Sequence, residues 1–300
     1  MRAIAEQTGR SPPTISRELR RNRDPGSGQY RPFTAHKLAA RRRPGKIAAD
    51  PVLRQFVQER LEKRWSPEQI SQALRREFPD EPARHVVHET IYQAVYRPGL
   101  GGLSRELPAR VLRTRRRRRR PHRRPGERRP NGIIAMAMLD QRPAEAAGRK
   151  ESGHWEGDLI TGASNRSAIG TLVDRAPGYT ILLHLPGRHT AEAVRDALIA
   201  AMAVLPPRLR QSLTWDQGKE MALHTEISAT LGMPVYFCDK ASPWQRPSNE
   251  NTNGLLRQYF PKGSDLRAHG PDELAAVAAE LNGRPRKTLG WDTPAARLGL

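Results

Sequence analysis

The spacing of apolar residues changes period along the chain, from helical in the first third to alternating in the second half. Ile4, Ala5, Ile15 and Leu19 are apolar at helical spacing, interrupted by Gly9 and Ser11. Ser11 suits a cap and Pro12 a first helical position, where no N–H is needed, so two short helices joined by a turn are predicted. Such a pair is a helix-turn-helix. A second helical cluster follows, in which Val52, Leu53, Phe56, Val57 and Leu61 make one stripe. Ser66-Pro67-Glu68-Gln69 reads as a capping box that starts a helix continued by Ile70 and Leu74. A proline-containing loop from Phe78 to Arg84 leads to a third helix over Val87–Tyr96, with Ile91 and Val95 apolar. This cluster is either a second helix-turn-helix or a structural spacer.

From Gly153 onward the pattern becomes one of short strands. His154–Gly162, Ala168–Val173 and Tyr179–Leu185 are predicted strands, with Gly178 in the turn between the last two. A helix over Ala191–Val204 comes next, then a strand at Leu213–Asp216, a helix at His224–Leu231 and a strand at Val235–Cys238. Helices at Asn249–Tyr259 and Glu273–Leu281 complete the series. Three strands followed by alternating helix and strand predict an α/β class with a mixed sheet flanked by helices.

Charge separates the same two regions. The formal net charge is +21, and residues 1–130 hold 33 lysines and arginines against 13 acids, whereas residues 131–300 hold 19 against 18. A basic front half beside a neutral back half points to a polyanion as partner, and nucleic acid fits better than a membrane surface. In the second helix of the first pair, Thr14, Ser16, Arg17, Arg20 and Arg21 are placed to reach bases and phosphates. Arg115, Arg116, Arg117, Arg118, Arg119 and Arg120 form an unbroken run that cannot bury a core, so a linker that tracks phosphates is expected there. Cys238 is the single cysteine, which excludes an intrachain disulfide and a cysteine-based zinc site and suggests a small buried residue. His85 and His88, three apart, have no cysteine pair and read as solvated helix positions. No apolar run approaches the roughly 18 residues that span a bilayer, and no signal peptide opens the chain, so a cytoplasmic, nucleoid-associated protein is expected. The chain starts too late to supply the helix that usually precedes such a pair, so the first module reads as N-terminally truncated.

Three acids stand in unusual settings. Asp158 lies in the apolar strand segment Gly157-Asp-Leu-Ile160, Asp216 ends a buried strand before Gln217-Gly218, and Glu250 opens a predicted helix. Carboxylates converging on one point repel, and a divalent cation resolves the conflict. Two such ions, Mg²⁺ or Mn²⁺, suit phosphodiester chemistry. Glu156 shares a strand face with Asp158 and is expected either to support it or to be an exposed residue. Glu220 is expected to order the turn after Asp216, and Asp174 to sit in a hairpin. Trp155 and Trp215 read as core aromatics, and Trp244 as a packing residue with stacking on DNA as the alternative.

The stretches Gly153-His-Trp-Glu-Gly-Asp-Leu159, Leu213-Thr-Trp-Asp-Gln-Gly-Lys-Glu-Met221 and Ser242 to Gly263, which includes Ser248-Asn-Glu-Asn-Thr-Asn-Gly254, closely resemble the IS-thirty family of bacterial insertion-sequence transposases. Thirty-three residues separate Asp216 from Glu250, the spacing of that family's aspartate-aspartate-glutamate core. The likeness extends to Thr14–Arg21, Trp65–Leu74 and Leu281–Leu289, so it spans nearly the whole chain apart from the arginine linker. It implies an RNase H-like integrase core in which Asp158, Asp216 and Glu250 are the catalytic, metal-binding triad. Arg257 and Lys262 match basic positions expected against the DNA backbone. Pro247 stands where the family often has glycine.

The organisation expected is a helix-turn-helix module over 1–45, a second helical module over 50–97, a basic linker over 98–148 and the catalytic core over 149–300. The partners implied are double-stranded DNA, at terminal inverted repeats and at the target, and further copies of the chain in a homodimer or larger assembly. Two rival readings are a truncated remnant that binds element ends and represses an intact copy, and a nuclease acting on RNA–DNA hybrids.

Overall fold

The computed structural model describes residues 2–42, 45–96, 103, 136–142, 148–239, 242 and 245–299. They divide into two units, residues 1–111 and 112–300, so both predicted helical modules fall within the first. Arg115 to Arg120 and Trp244 lie outside the described residues.

The first unit opens with α1 (Arg2–Thr8) and α2 (Pro12–Arg21), the predicted pair. Ser11 stands at the start of α2, but its hydroxyl pairs with the Thr14 hydroxyl at 2.8 Å instead of capping an amide. Ile4, expected inside, is 46% exposed; among the described residues Ala5, Asn22 and Ala35 are the buried side chains here. So small an apolar interior leaves polar contacts to hold the turn. Glu18 accepts from Asn22 at 2.7 Å and from the Tyr30 hydroxyl at 3.3 Å. Two helices absent from the sequence-based expectation follow, α3 (Pro32–Arg42) and α4 (Lys46–Ala49). Among the described side chains of these two helices Ala35 and Ile47 are the buried ones, too thin a stripe to read as periodicity.

Better packed are α5 (Pro51–Glu62), α6 (Pro67–Glu77) and α7 (His88–Tyr96). Leu53, Phe56, Val57, Leu61, Ile70, Leu74 and Ile91 form one buried cluster. Each fully buried aliphatic side chain there contributes roughly 1.5–3 kcal/mol relative to exposure. Val52 does not join them; at 46% exposed it sits in the first turn of α5 on the outer side. Asp50 caps α5 by accepting from the Val52 and Leu53 amides at 2.9 and 3.1 Å, and Arg84 pairs with its other oxygen at 2.9 Å. The capping box is formed in both directions, Gln69 N to Ser66 Oγ at 3.2 Å and Ser66 N to Gln69 Oε1 at 2.9 Å. His85 is not a solvated helix position. It precedes α7, and its Nε2 lies 2.7 Å from the Phe78 carbonyl.

In the second unit the strands are β1 (Ala137–Met138), β2 (His154–Thr161), β3 (Ala168–Asp174), β4 (Thr180–Leu185), β5 (Ser212–Trp215) and β6 (Val235–Phe237). They form one sheet in the order β1-β6-β5-β2-β3-β4. β2 pairs antiparallel with β3 and parallel with β5, and β3 with β4 makes the expected hairpin. Gly178 turns that hairpin at φ +72°, a conformation that costs a side-chain-bearing residue strain. This mixed order around a central β2 is the RNase H-like arrangement. The helices are α8 (Ala191–Ala203), α9 (His224–Leu231), α10 (Pro247–Leu256), α11 (Pro271–Asn282) and α12 (Pro294–Leu298). β1 and α12 were not expected; at two and five residues they are too short to show a period.

Period-two alternation along β2 divides the core. Trp155 on one face joins the larger apolar cluster with Trp215, Val194, Leu198 and Phe237. Ile160 on the other joins Ile169, Leu256, Phe260, Leu274 and Leu281. Glu156 and Asp158 share that second face, the one α10 covers. Among the described residues no helix is long and apolar enough to cross a membrane.

Candidate active site

Gly157 is where the geometry of the site begins. A Cβ there would lie 2.0 Å from the Trp215 ring, so only glycine lets that ring pack against β2. Trp215 is fully buried and ends β5, whose Thr214 is paired with Glu156. Two residues beyond that pair, Asp216 after β5 and Asp158 in β2 therefore come out at a similar level on the sheet.

Both aspartates meet one guanidinium. Arg246, just before α10, approaches Asp158 Oδ1 with Nη1 and Asp216 Oδ2 with Nη2, each at 3.5 Å. Its Nη1 also donates to the Gly157 carbonyl at 2.6 Å. The Leu159 amide donates to Asp158 Oδ1 at 2.9 Å, and Asn253 Nδ2 donates to Oδ2 at 3.0 Å. Burial raises the Asp158 pKa above the ordinary carboxylate value; Arg246 opposes this and Asp216 adds to it. Arg246 is itself raised, because the two carboxylates outweigh the opposing effect of burial.

Behind this pair, α10 is fastened to the sheet by Asn249, which is fully buried. Its backbone amide donates to Glu156 Oε2 at 3.0 Å, and its Nδ2 donates to the Glu156 carbonyl at 2.9 Å. Its Oδ1 accepts from the Thr171 hydroxyl at 3.0 Å. Glu156 has no exposed surface and pairs with Arg175 at 3.4 Å, whose pKa burial lowers to about 10. The supporting role read for Glu156 holds: it anchors the helix that bonds to Asp158. Glu220 accepts from Trp215 Nε1 at 3.4 Å, in keeping with a turn-ordering residue, and burial raises its pKa. Asp174 lies in the hairpin as expected and also accepts from the Gly153 amide at 2.6 Å. Burial pushes it up to about 6.

Glu250 is exposed on α10. At 100° per residue it lies about 60° around the helix from Asn253, one turn nearer the N-terminus, so it borders the side that touches Asp158. Among the described residues no three of His, Cys, Asp and Glu are gathered closely enough to hold an ion. The structure thus unites Asp158 and Asp216 and leaves Glu250 at the rim. The donor set still fits a hard cation. Asp216 Oδ1 is buried without a hydrogen-bond partner, and Mg²⁺ takes one or two carboxylates with waters and phosphate oxygens.

Arg257 departs from its expected outward role. It follows α10 directly, donating to the Thr161 carbonyl at 3.1 Å and the Phe260 carbonyl at 3.4 Å. Lys262 is exposed nearby in sequence. In the first unit Thr14, Arg17 and Arg21 line an open groove with Arg10, while Arg20 is exposed and Ser16 half-buried. Sequence reasoning missed Arg246, Asn249 and Asn253. The asparagines carried a signal, since positions four apart share a helical face; Arg246 carried none beyond its place in the motif.

Residues 148–243 match the family model described as integrase core domain. The chain is 48% identical to a transposase for insertion sequence element IS1086 of Cupriavidus metallidurans, over 98% of this chain and 87% of that protein. It is 46% identical to transposase InsI for insertion sequence element IS30C of Escherichia coli K12, over 98% and 77% respectively. With a transposase for IS4351 of Bacteroides fragilis it shares 36% identity over 98% and 88%.

Proposed function

The chain belongs to the IS-thirty (IS30) family of insertion-sequence transposases, and from that membership we propose that it binds the terminal inverted repeats of its element and catalyses strand cleavage and transfer there. The observation that carries the proposal is the meeting of Asp158 and Asp216 on one cationic group, beside the helix that bears Glu250. A region holding two carboxylates, one of them with a buried unpartnered oxygen, is built for positive charge.

In this reading Asp158 and Asp216 hold the ion and Glu250 turns in from α10 to complete the set. A bound Mg²⁺ or Mn²⁺, two ions by preference, would supply Lewis acidity for phosphodiester cleavage and transfer. Leu159 N and Asn253 orient the Asp158 carboxylate, and Asn249 keeps α10 seated so that Glu250 has a fixed base from which to reach. Thr14, Ser16, Arg17, Arg20 and Arg21 contact DNA through α2, and Arg115 to Arg120 add affinity that does not depend on sequence. Lys262 lies against the backbone near the core; Arg257 joins it only by giving up its carbonyl partners. Holding two element ends at once calls for at least two copies of the chain. The binding-only reading is not favoured, since the relatives matched over 98% of the chain are transposases.

The test uses the full chain, a duplex carrying the element end, and Mg²⁺. Asp158→Asn is expected to lower cleavage at least about a hundredfold while leaving end binding unchanged. Arg17→Ala and Arg20→Ala are expected to weaken end binding and to reduce its salt dependence, by about one unit of log–log slope for each phosphate that is no longer neutralised. Cleavage at wild-type level by Asp158→Asn removes that residue from the mechanism.

A further inference from the structure

Arg246 has no role in the reading above, yet it is the group on which the carboxylates converge. Its side chain is only 11% exposed. Among the described residues it is the one cation paired with Asp158 and Asp216. Both contacts, at 3.5 Å, are longer than the roughly 2.8 Å of a charge-assisted hydrogen bond. The guanidinium therefore sits between the acids chiefly as a charge, its contact with each carboxylate longer than a full charge-assisted bond. What fixes it is the 2.6 Å bond to the Gly157 carbonyl, which does not involve the acids. One positive charge against two negative leaves a net negative site, and Asp216 Oδ1 remains unpartnered beside it.

We propose that Arg246 is a resident countercharge, a positioning residue that holds Asp158 and Asp216 together before a divalent ion arrives and then competes with that ion for the same carboxylates. This rests on the reading that these acids are the ion's ligands. Without Arg246, two carboxylates in a partly buried site face each other uncompensated, which destabilises the ion-free protein. With Arg246 present, an incoming divalent cation meets a fixed positive charge a few ångströms away, which weakens its binding. Ion-free stability and ion affinity are thereby set against each other through one side chain.

The experiment measures Mn²⁺ binding to the full chain by titration calorimetry, and thermal melting with and without Mn²⁺. Arg246→Gln is expected to melt below wild type without Mn²⁺, to bind Mn²⁺ at least about tenfold more tightly, and to gain more in melting temperature from the ion. Arg246→Lys keeps the charge on a single ammonium that cannot fork to both acids, so it is expected to fall between the two. Mn²⁺ affinity in Arg246→Gln equal to or below that of wild type overturns the proposal. Should Arg246→Gln not fold, the same criterion applied to Arg246→Lys decides it. Asp158→Asn separates this from the reading beneath it. Wild-type Mn²⁺ binding in Asp158→Asn means the acids are not the ligands, and both ideas fall. Loss of binding there, with unchanged affinity in the Arg246 variants, removes the countercharge role alone.

Discussion

The helical unit and the sheet unit reach order by different routes. In the first, the side-chain bonds that fix its elements span short stretches of chain, such as Ser66 with Gln69 and Ser71 with the Val86 carbonyl. Longer ones, Arg84 to Asp50 and Lys46 to the His85 carbonyl, reach 34 and 39 residues. In the sheet unit Asn249 reaches back 93 residues to Glu156 and Asn253 reaches 95 to Asp158. Short-range capping makes a frame that any stretch of helix can adopt. Bonds across some ninety residues make a site that exists only when the whole sheet has assembled.

The sharpest way to break that contrast is at Gly157. Gly157→Ala places a methyl group into the Trp215 ring, which is fully buried and cannot withdraw. The substitution is expected to cost more than about 3 kcal/mol and to abolish Mn²⁺ binding while the helical unit keeps its own melting transition by calorimetry. A single shared transition would show that the two units do not fold separately. The reverse experiment is Leu74→Ala, which opens a cavity in the cluster of α5, α6 and α7. A loss of about 3 kcal/mol is expected, confined to the transition of the helical unit and accompanied by weaker end binding with Mn²⁺ binding intact.

A smaller effect sharpens the comparison through pH. Asp174, buried in the sheet unit, is raised from 3.8 to about 6 in the folded protein. A raised acid contributes stability that is fully present below the unfolded value near 4 and is lost as pH rises through about 6. Denaturant titrations of Asp174→Asn and wild type at pH 4 and pH 7 should differ in their pH dependence by about 2 kcal/mol, wild type showing the larger fall. Identical dependence would discount the burial of this carboxyl. Smallest is Ser66→Ala, expected to cost about 1 kcal/mol in the helical unit and nothing in the sheet unit. Its expected size reflects how local that device is.

Legibility in the sequence followed the same division. The capping box at Ser66, the stripe from Leu53 to Leu61 and the strands of the hairpin were readable because each is a pattern within a dozen residues. α3 was not, since Ala35 is the one buried apolar side chain among its described residues. β1 was not, because two residues carry no period. At the site, Asp158 and Asp216 could be picked out as acids in apolar strands, and the structure brings them together. Arg246 could not: an arginine in a polar loop looks like any exposed cation until the sheet places it between two carboxylates. Ile4 and Val52 failed in the opposite sense, because period alone gives a side without saying whether anything covers it.

The clasp made by Asn249 also bears on where the chain can be cut. The integrase-core match ends at residue 243, short of Arg246, Asn249, Glu250 and Asn253. A fragment trimmed to that match would keep β2 to β6 but lose β1, the amide that bonds Glu156 and the apolar cover of Leu256, Phe260 and Leu274 on one face of the sheet. For expression work, a piece that keeps this cover therefore has to run on through α11, well past the end of the integrase-core match.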